Sequence, residues 1–448
     1  FKKTCYFINI MTINRRTFIK SSAALTAGMA VPGMAAPLSS FTSSRAVPSS
    51  DTVNVGLIGC RNMGWWNLSD FLRQKDVRCL ALCDIEQEIL SGRAEEVAKL
   101  QGKKPDTYGD YRKLLDRKDI DVVIIGTPDH WHCLQFVDAC KAGKDIYVEK
   151  PLGNTIAECD AMVAAAKKYN RITQVGQQQR SGKLWEDMIA FLRSGKLGKI
   201  GKAHVWANFG YAGMAPLGSD APVPQGVDFD MWLGPTPKVS FNPQRFHGTW
   251  RMFWNYGGGL LTDWGVHLLD MALWGLDVKT MPLKTLASGG NFLFPEGAHE
   301  TFDTMSVTYQ FKDFQIAWEN NAGVESGPYG KNYGVLFRGT NGTLVANRED
   351  WEVYPEGDRT EPVKVKTDGK DHQTHVARFL ECVKTRNPET ACTVENGSLC
   401  AKYAHIGNIG VRIGGGALIY DDQTKKFDVA AANSYLRPSY RSPWTFPE

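Results

Sequence analysis

From residue 53 onward the chain repeats one unit, a short and mostly apolar run followed by a helix-length amphipathic segment. The runs are Val53 to Ile58, Val77 to Cys83, Val122 to Ile125, Ile146 to Val148 and Ile172 to Val175. The segments between them start near Gly64, Ile85, Asp110, His130 and Thr155. Near-continuous apolar strands have both faces covered, and a strand that returns parallel to its predecessor needs a crossover of helix length. The pattern therefore predicts an α/β unit over residues 51–176, a parallel sheet with helices on both faces. A chain of 448 residues has room for at least one more domain.

The first run ends in Gly59-Cys60-Arg61-Asn62-Met63-Gly64. In a dinucleotide-binding fold this turn is tight and its backbone approaches a pyrophosphate at a helix N-terminus, which is what the glycines serve. Gly59 and Gly64 fit the first and third glycines. Arg61 stands at the middle one, where it crowds the phosphate approach while offering a guanidinium. Asp84 ends the second run, where a carboxylate accepts both ribose hydroxyls of NAD and repels the 2′-phosphate of NADP, or simply caps the next helix. Together with the glycine turn it makes NAD the favoured ligand. The run ending at Ile125 opens into Gly126, Thr127, Pro128, Asp129, His130, Trp131 and His132, a turn at the carboxyl edge of the sheet where such folds hold ligands.

The first fifty residues contain Lys2, Lys3, Arg15, Arg16, Lys20 and Arg45 but no Asp or Glu. Arg15 and Arg16 precede Phe18, Lys20 and a weakly apolar stretch from Ser21 to Met34, with Ala35 and Ala36 beyond it. This is the layout of a secretory signal of the twin-arginine kind, which exports folded proteins, so the expected location is the periplasm. Position 1 is Phe, and Met11 is a candidate start. No Cys stands near the cleavage region to accept a lipid. Gly28, Pro32 and Gly33 interrupt the stretch, and no later segment offers about 18 uninterrupted apolar residues. The mature protein is expected to be soluble, with no membrane partner. Ser39 to Ser50 reads as a flexible linker.

With that segment set aside, 46 of the 52 basic side chains remain against 48 acidic ones. The body is near −2 and has no basic run, which excludes nucleic acid as a partner. Ten cysteines occur, and Cys5 leaves with the signal. The odd remainder cannot all pair and shows no CxxC spacing, so buried free thiols are expected. His130, His132 and Cys133 look like a metal cluster only superficially, because neighbouring helix positions point apart. No metal is expected.

Glu149-Lys150-Pro151 after a strand, the glycine turn, the Thr127-Pro128 turn and the downstream Asp263-Trp264-Gly265-Val266-His267 together resemble the Gfo/Idh/MocA oxidoreductase family, over nearly everything from residue 53 to the end. The resemblance implies a Rossmann domain over 51–176 and an α+β domain over 177–448. The latter carries a large open, mostly antiparallel sheet that binds substrate and builds oligomers, here a homodimer or homotetramer. It implies cofactor contacts from Gly59, Arg61, Asn62, Met63, Gly64, Asp84, Thr127, Pro128, His132, Glu149, Lys150 and Gln178. Lys150 would sit beside the nicotinamide and polarise or deprotonate a sugar hydroxyl. Asp263 and His267 match the family's Asp-x-x-x-His pair, with His267 taking the hydroxyl proton as hydride leaves the same carbon. Pro151 is expected to follow a cis peptide. On spacing alone, Lys150 reads as a solvated lysine.

Independently of the family, Asp263, His267, Asp270 and Trp274 recur at i, i+4, i+7 and i+11, one stripe on a helix whose other positions from Trp264 to Leu276 are apolar or glycine. Such a helix is buried, and its ionisable stripe faces either a pocket or a core hydrogen-bond partner. Gln178 and Arg180 follow the run ending at Val175 and line either the cleft or a solvated loop. Six of the 13 tryptophans lie between Trp206 and Trp274. Trp250, Trp254 and Tyr256, beside Arg251 and Asn255, suit the stacking and directional bonding that a sugar needs, or equally an apolar core or interface.

The second domain begins with the alternation Ala203, Val205, Ala207, Phe209. Further strands are expected at Ser306 to Phe311, Gln315 to Trp318, Val335 to Phe337 and Thr343 to Ala346, with Asn341-Gly342 as a hairpin turn, and helices near His372 to Lys384 and Val394 to Ile409. The proline-rich end from Leu436 is expected to wrap the surface. These features imply an exported enzyme that moves hydride between a sugar carbon, C3 of a glycoside, and a tightly held NAD. Two alternatives stay open: an NAD-dependent glycosidase working by transient oxidation, elimination and hydration, and a non-catalytic nucleotide- or sugar-binding protein.

Overall fold

The computed structural model describes residues 52–210 and 215–448. The expected signal from Met11 to Ala36 and the linker Ser39 to Ser50 lie outside the described residues.

The apolar runs become the strands of one six-stranded sheet. In chain order it comprises β1 (Val53–Ile58), α1 (Asn62–Leu72), β2 (Val77–Cys83), α2 (Gln87–Gln101), β3 (Asp106–Tyr108), α3 (Tyr111–Leu115), β4 (Val122–Ile125), α4 (Asp129–Lys141), β5 (Asp145–Val148), α5 (Ile156–Tyr169) and β6 (Thr173–Val175). The strands are all parallel in the order β3-β2-β1-β4-β5-β6. The order reverses between β1 and β4, which opens the crevice where this fold holds dinucleotides. Every residue of β4 and β5 is buried, as strands covered on both faces require. No apolar run marks β3, a three-residue edge strand whose Asp106 and Thr107 are exposed. Side-chain caps start two of the helices: Asp110 accepts from the Arg112 amide, and Thr155 from the Glu158 amide.

The second half is built on α6 (Lys183–Arg193), β7 (Ile200–Ala207), α7 (Phe229–Leu233) and α8 (Val266–Gly275), followed by β8 (Lys284–Gly290), β9 (Thr304–Gln310), β10 (Gln315–Asn321), β11 (Tyr333–Gly339), β12 (Gly342–Ala346), β13 (Asp350–Pro355) and β14 (Val363–Lys366). After these come α9 (Asp371–Thr385), α10 (Val394–Arg412) and β15 (Gly416–Leu418). The nine strands form one sheet in the order β14-β13-β12-β11-β7-β10-β9-β8-β15. Only β7 and β10 pair in parallel. β7 thus starts early, at Ile200, and lies in the middle of the sheet. α6 and α8 cover its inner face, burying Trp185, Met188, Leu268, Met271, Trp318 and Phe337 in one core.

The C-terminal helices return to the first sheet. Val376, Phe379 and Val383 of α9 pack with Val53, Phe71 and Tyr147, and the Gln174 side chain donates to the His375 carbonyl at 2.9 Å. α10 lies between the halves, with Ala401 in the core of the first and Cys400 and Ala404 in that of the second. This interlock fixes the cleft between the sheets. All nine cysteines among the described residues are free and buried, and no helix of the described residues is long and apolar enough to cross a membrane.

Candidate active site

The turn after β1 shows why its glycines stand where they do. Gly59 has φ +87°, and a Cβ there would lie 2.8 Å from the Gly126 carbonyl carbon. A Cβ on Gly64 would lie 1.9 Å from the Gly59 carbonyl oxygen, and one on Gly126 would lie 2.5 Å from Gly64 Cα. Three glycines therefore let α1 and the ends of β1 and β4 touch backbone to backbone. Arg61 is tolerated at the middle position because its backbone is extended, with φ −92° and ψ 165°. It is also the N-cap of α1 and makes no side-chain cap, so the first amides of the helix are left for an anion.

A cleft of about 1070 Å³, counted out to its mouth, opens at this point. Gly59, Arg61, Asn62, Met63, Asp84, Thr127, Pro128, Glu149 and Lys150 line it. Asp84 Oδ2 accepts from the Cys60 amide at 2.6 Å and Oδ1 from the Glu86 amide at 3.1 Å, so it shapes the turn; burial raises its carboxyl, against these two bonds. Each oxygen keeps a lone pair for a ribose hydroxyl. An uncapped helix N-terminus, a glycine approach and a carboxylate at the end of β2 fit NAD.

Several expected contacts are placed elsewhere. Gly64 does not reach the cleft, being covered by Gly59 and Gly126. His132 is fully buried and braces two turns, its Nδ1 2.8 Å from the Pro151 carbonyl oxygen and its Nε2 2.8 Å from that of Thr127. It supports the Lys150-Pro151 turn, whose peptide is cis, and does not touch the cavity. His130 turns to the Trp232 carbonyl at 2.9 Å, and burial lowers it to about 4. Gln178 is half-buried beside the cleft but not in its wall.

At the inner end, Lys150 Nζ donates to Asp263 Oδ1 at 2.5 Å and to the Asp263 carbonyl at 3.2 Å. Arg251 Nε lies 3.1 Å from the same Oδ1 and stacks on Trp250 with 4.2 Å to the ring centroid. Asp129, at the start of α4, completes the cluster; burial pushes its carboxyl well above the ordinary value, against the opposing pull of Arg251 and Lys150. Sequence reasoning missed Arg251 and Asp129 as site residues. Both line the cleft, yet their partners are 12 and more residues away in sequence. The only sequence signal was their neighbourhood, Arg251 within the aromatic run and Asp129 within the turn after β4.

His267 lies buried behind this cluster. Burial holds its imidazole well below its usual value, and the charges of Arg348 and Lys150 add to that, so it is neutral near pH 7. Its Nδ1 has no hydrogen-bond partner among the described residues, and the same holds for Gln177 Oε1 and Gln179 Nε2. Gln177 Nε2 donates to the Val266 carbonyl, and Gln179 Oε1 accepts from Arg348, whose guanidinium covers Trp264 at 4.6 Å. Among the described residues these buried atoms have no partner.

The stripe on the helix is divided. Residues Leu261–Gly265 form a π turn leading into α8, which sets Asp263 out of phase with the α-helical positions after it. Asp270 is bound by Arg180 through three hydrogen bonds of 2.7 to 3.0 Å, and Arg180 covers Trp274 at 5.3 Å. Arg180 and Asp270 are thus a buried pair that holds β6 to α8, not a substrate contact. Trp254 is covered by Arg412 at 4.4 Å, and Tyr256 is buried against Trp232 and His130. Of the three expected aromatics, only Trp250 reaches the cleft.

Trp254 turns to Phe302 and Arg412, and Tyr256 is diverted because the segment before it forms its own core. Phe229, Trp232, Phe241, Phe246, Trp250 and Tyr256 pack together. This segment is tied to the first sheet at Gln87 N to Gly226 O (2.9 Å) and Asp228 N to Ile85 O (3.0 Å). Its Met231, Trp232, His247 and Trp250 supply the far wall of the cleft. The chain's end fastens it: Arg441 Nε donates to the Gly234 and Thr236 carbonyls, Trp444 meets Trp131 edge-on, and the Tyr440 hydroxyl donates to Glu158 Oε1 at 2.5 Å.

Comparison with known proteins agrees with this architecture. Residues 53–177 match the oxidoreductase-family model described as an NAD-binding Rossmann fold, and 199–446 match the model of the C-terminal alpha/beta domain of the same family. Residues 12–32 match the twin-arginine translocation signal. A glycosyl hydrolase family 109 protein of Shewanella baltica is 31% identical over 205 residues, and an alpha-N-acetylgalactosaminidase of Shewanella oneidensis is 31% identical over 203. Each match covers 42% of this chain, which spans less than half (44%) of the length of either relative. Among solved structures, the aldose-aldose oxidoreductase of Caulobacter crescentus superposes with TM-score 0.62 at 19% identity, over 81% of this chain and 98% of that one. Levoglucosan dehydrogenase in complex with NADH and levoglucosan gives 0.60 at 19%, over 80% and 96%. These likenesses establish the shared fold.

Proposed function

The chain belongs to the Gfo/Idh/MocA oxidoreductase family, and on that premise we propose that it oxidises a sugar or glycoside hydroxyl carbon, C3 by preference, after export to the periplasm by the twin-arginine route. The observation that carries the reading is Lys150: its ammonium group lines the nucleotide cleft, is held by Asp263, and is near enough to His267 for its charge to act on that imidazole. Bound NAD would supply the hydride acceptor.

The residues divide the remaining work. Asp263 fixes the Lys150 ammonium, which stabilises negative charge growing on the hydroxyl oxygen as its proton leaves. Neutral His267 takes that proton, burial keeping its imidazole unprotonated before the step. The unpartnered amide atoms of Gln177 and Gln179 bind neighbouring hydroxyls, and Trp250 offers a face to the apolar side of the ring. The wall from Met231 to Trp250 and the tail behind it hold the cofactor tightly, which suits a compartment without a free nicotinamide pool.

A second reading, favoured by the 31% identity to glycosyl hydrolase family 109 proteins, is a redox-neutral glycosidase. Oxidation of one carbon would acidify the neighbouring C–H, the aglycone would leave, and water addition with return of the hydride would complete hydrolysis. One experiment separates the readings. Protein purified from a twin-arginine-competent host is denatured and assayed for NAD(H), then the native protein is given glucosides and galactosides, with nicotinamide absorbance and products followed. An oxidised sugar with a lasting absorbance change supports the oxidoreductase; released aglycone without one supports the glycosidase. Binding without turnover, unaffected by Lys150→Ala and His267→Ala, would leave a binding protein.

A further inference from the structure

Arg61 and its surroundings are not used by this mechanism. From the N-cap of α1 its side chain runs to the carboxyl end of β2, where this fold places the adenosine ribose. There Nε meets Glu86 Oε1 at 2.5 Å and Nη2 meets Oε2 at 2.8 Å, a two-pronged fork. His247, carried by the aromatic segment of the second domain, brings Nε2 to 3.0 Å from the same Oε1. Arg61, Glu86 and His247 all line the cleft. The carboxylate is nearly covered, with 11% of its side chain exposed, while 40% of Arg61 stays open. Burial alone would raise the Glu86 carboxyl, but the nearby His247 and the Arg61 fork outweigh it and bring it down to about 2, so it is ionised throughout the working range.

A guanidinium at the adenosine ribose is the usual device for accepting the 2′-phosphate of NADP. Left free, Arg61 would work against Asp84, two residues before Glu86 at the same edge. We propose that Glu86 sets the cofactor choice: it occupies the Arg61 guanidinium, adds a second negative charge beside Asp84, and so denies NADP its anchor and leaves NAD as the dinucleotide that fits. The proposal rests on the dinucleotide reading of the cleft and names Glu86 as a specificity-determining residue. A purely structural Glu86, clasping His247 to the first domain, would support either dinucleotide equally.

The test compares wild type, Glu86→Gln, Glu86→Ala and the double variant Arg61→Ala/Glu86→Gln. Each folded holoprotein is incubated with equal excess NAD and NADP, freed of unbound nucleotide, denatured, and its NAD(H) and NADP(H) measured by chromatography. The expected result is a bound NADP:NAD ratio raised at least tenfold in Glu86→Gln or Glu86→Ala and returned to the wild-type ratio in the double variant. An unchanged ratio in both single variants, or one equally raised in the double variant, overturns the proposal. If no protein carries nucleotide, the tight-holding reading fails by itself, and the same ratio is then read from tryptophan-fluorescence titrations with NAD and NADP, under the same criteria.

Discussion

Glu158 gives a stability prediction with a sign and a size. It occupies the third position after the Thr155 cap, where its amide bonds Thr155 Oγ1 at 3.3 Å and its Oε2 accepts from the same hydroxyl at 3.1 Å. Its other oxygen accepts from Tyr440 at 2.5 Å, so one buried carboxyl joins α5 to the chain's end. Burial raises it from 4.5 to about 7, against the hydrogen bonds from Tyr440 and Thr155. Below pH 4.5 the group is protonated whether the chain is folded or not and costs nothing. Between 4.5 and 7 the unfolded chain ionises while the folded one keeps its proton, so stability falls as pH rises; above 7 the loss is complete. At about 1.4 kcal/mol per pH unit, the interval from 4.5 to about 7 amounts to about 3 kcal/mol. Glu158→Gln keeps the shape and an acceptor for Tyr440 but cannot ionise. Urea unfolding of wild type and variant at pH 4.5, 6 and 8 should show the variant gaining about 3 kcal/mol on wild type across that range. A difference that is flat within about 0.5 kcal/mol, or that runs the other way, refutes the reasoning.

Lys150→Ala should lower turnover by about 10²- to 10⁴-fold while the protein still carries dinucleotide, checked by steady-state rates alongside chromatography of the denatured protein. Because burial keeps His267 neutral, the acid limb of the pH–rate profile should lie below 6.5, with full activity above it, and His267→Gln should remove that limb. Gly64→Ala, whose Cβ would meet the Gly59 oxygen at 1.9 Å, should force the turn open, with loss of bound dinucleotide and of about 2 kcal/mol or more in denaturant titration. Arg180→Ala leaves Asp270 charged and buried with 1% of its side chain exposed, so it should cost about 3 to 5 kcal/mol in stability; a KM effect at unchanged stability would return Arg180 to the substrate site.

The first domain was legible because its physics is local. Fully buried parallel strands are written as apolar runs, and the backbone contact among Gly59, Gly64 and Gly126 admits little but glycine. β3 escaped because an edge strand of three partly exposed residues needs no pattern. Lys150 was found only through the family segment, since nothing in its own neighbourhood separates a lysine held by a residue 113 positions later from a solvated one. Arg251 and Asp129 were missed for the same reason. Trp254 and Tyr256 were misassigned because an aromatic ring packs against protein as readily as against sugar, and composition cannot tell a roof from a platform. His132 and Arg180 failed in the opposite way: polar residues near a ligand turn were satisfied by two carbonyls and by Asp270, partners fixed by tertiary packing alone.

The π turn at Leu261–Gly265 has a genetic consequence. A π turn accommodates one more residue than the regular helix around it, so it is the one part of this helix that can lose a residue and heal. Deleting a single position between Asp263 and His267 would let the α-helix close through the gap and re-aim Asp263 relative to His267, because the α-helix turns faster per residue than the π turn it replaces. The carboxylate would shift against Lys150 and Arg251, while Asp270, beyond the cut, would keep its pairing with Arg180, which lies outside this helix. The smallest possible length change in this stretch would separate holding the fold from assembling the reactive cluster.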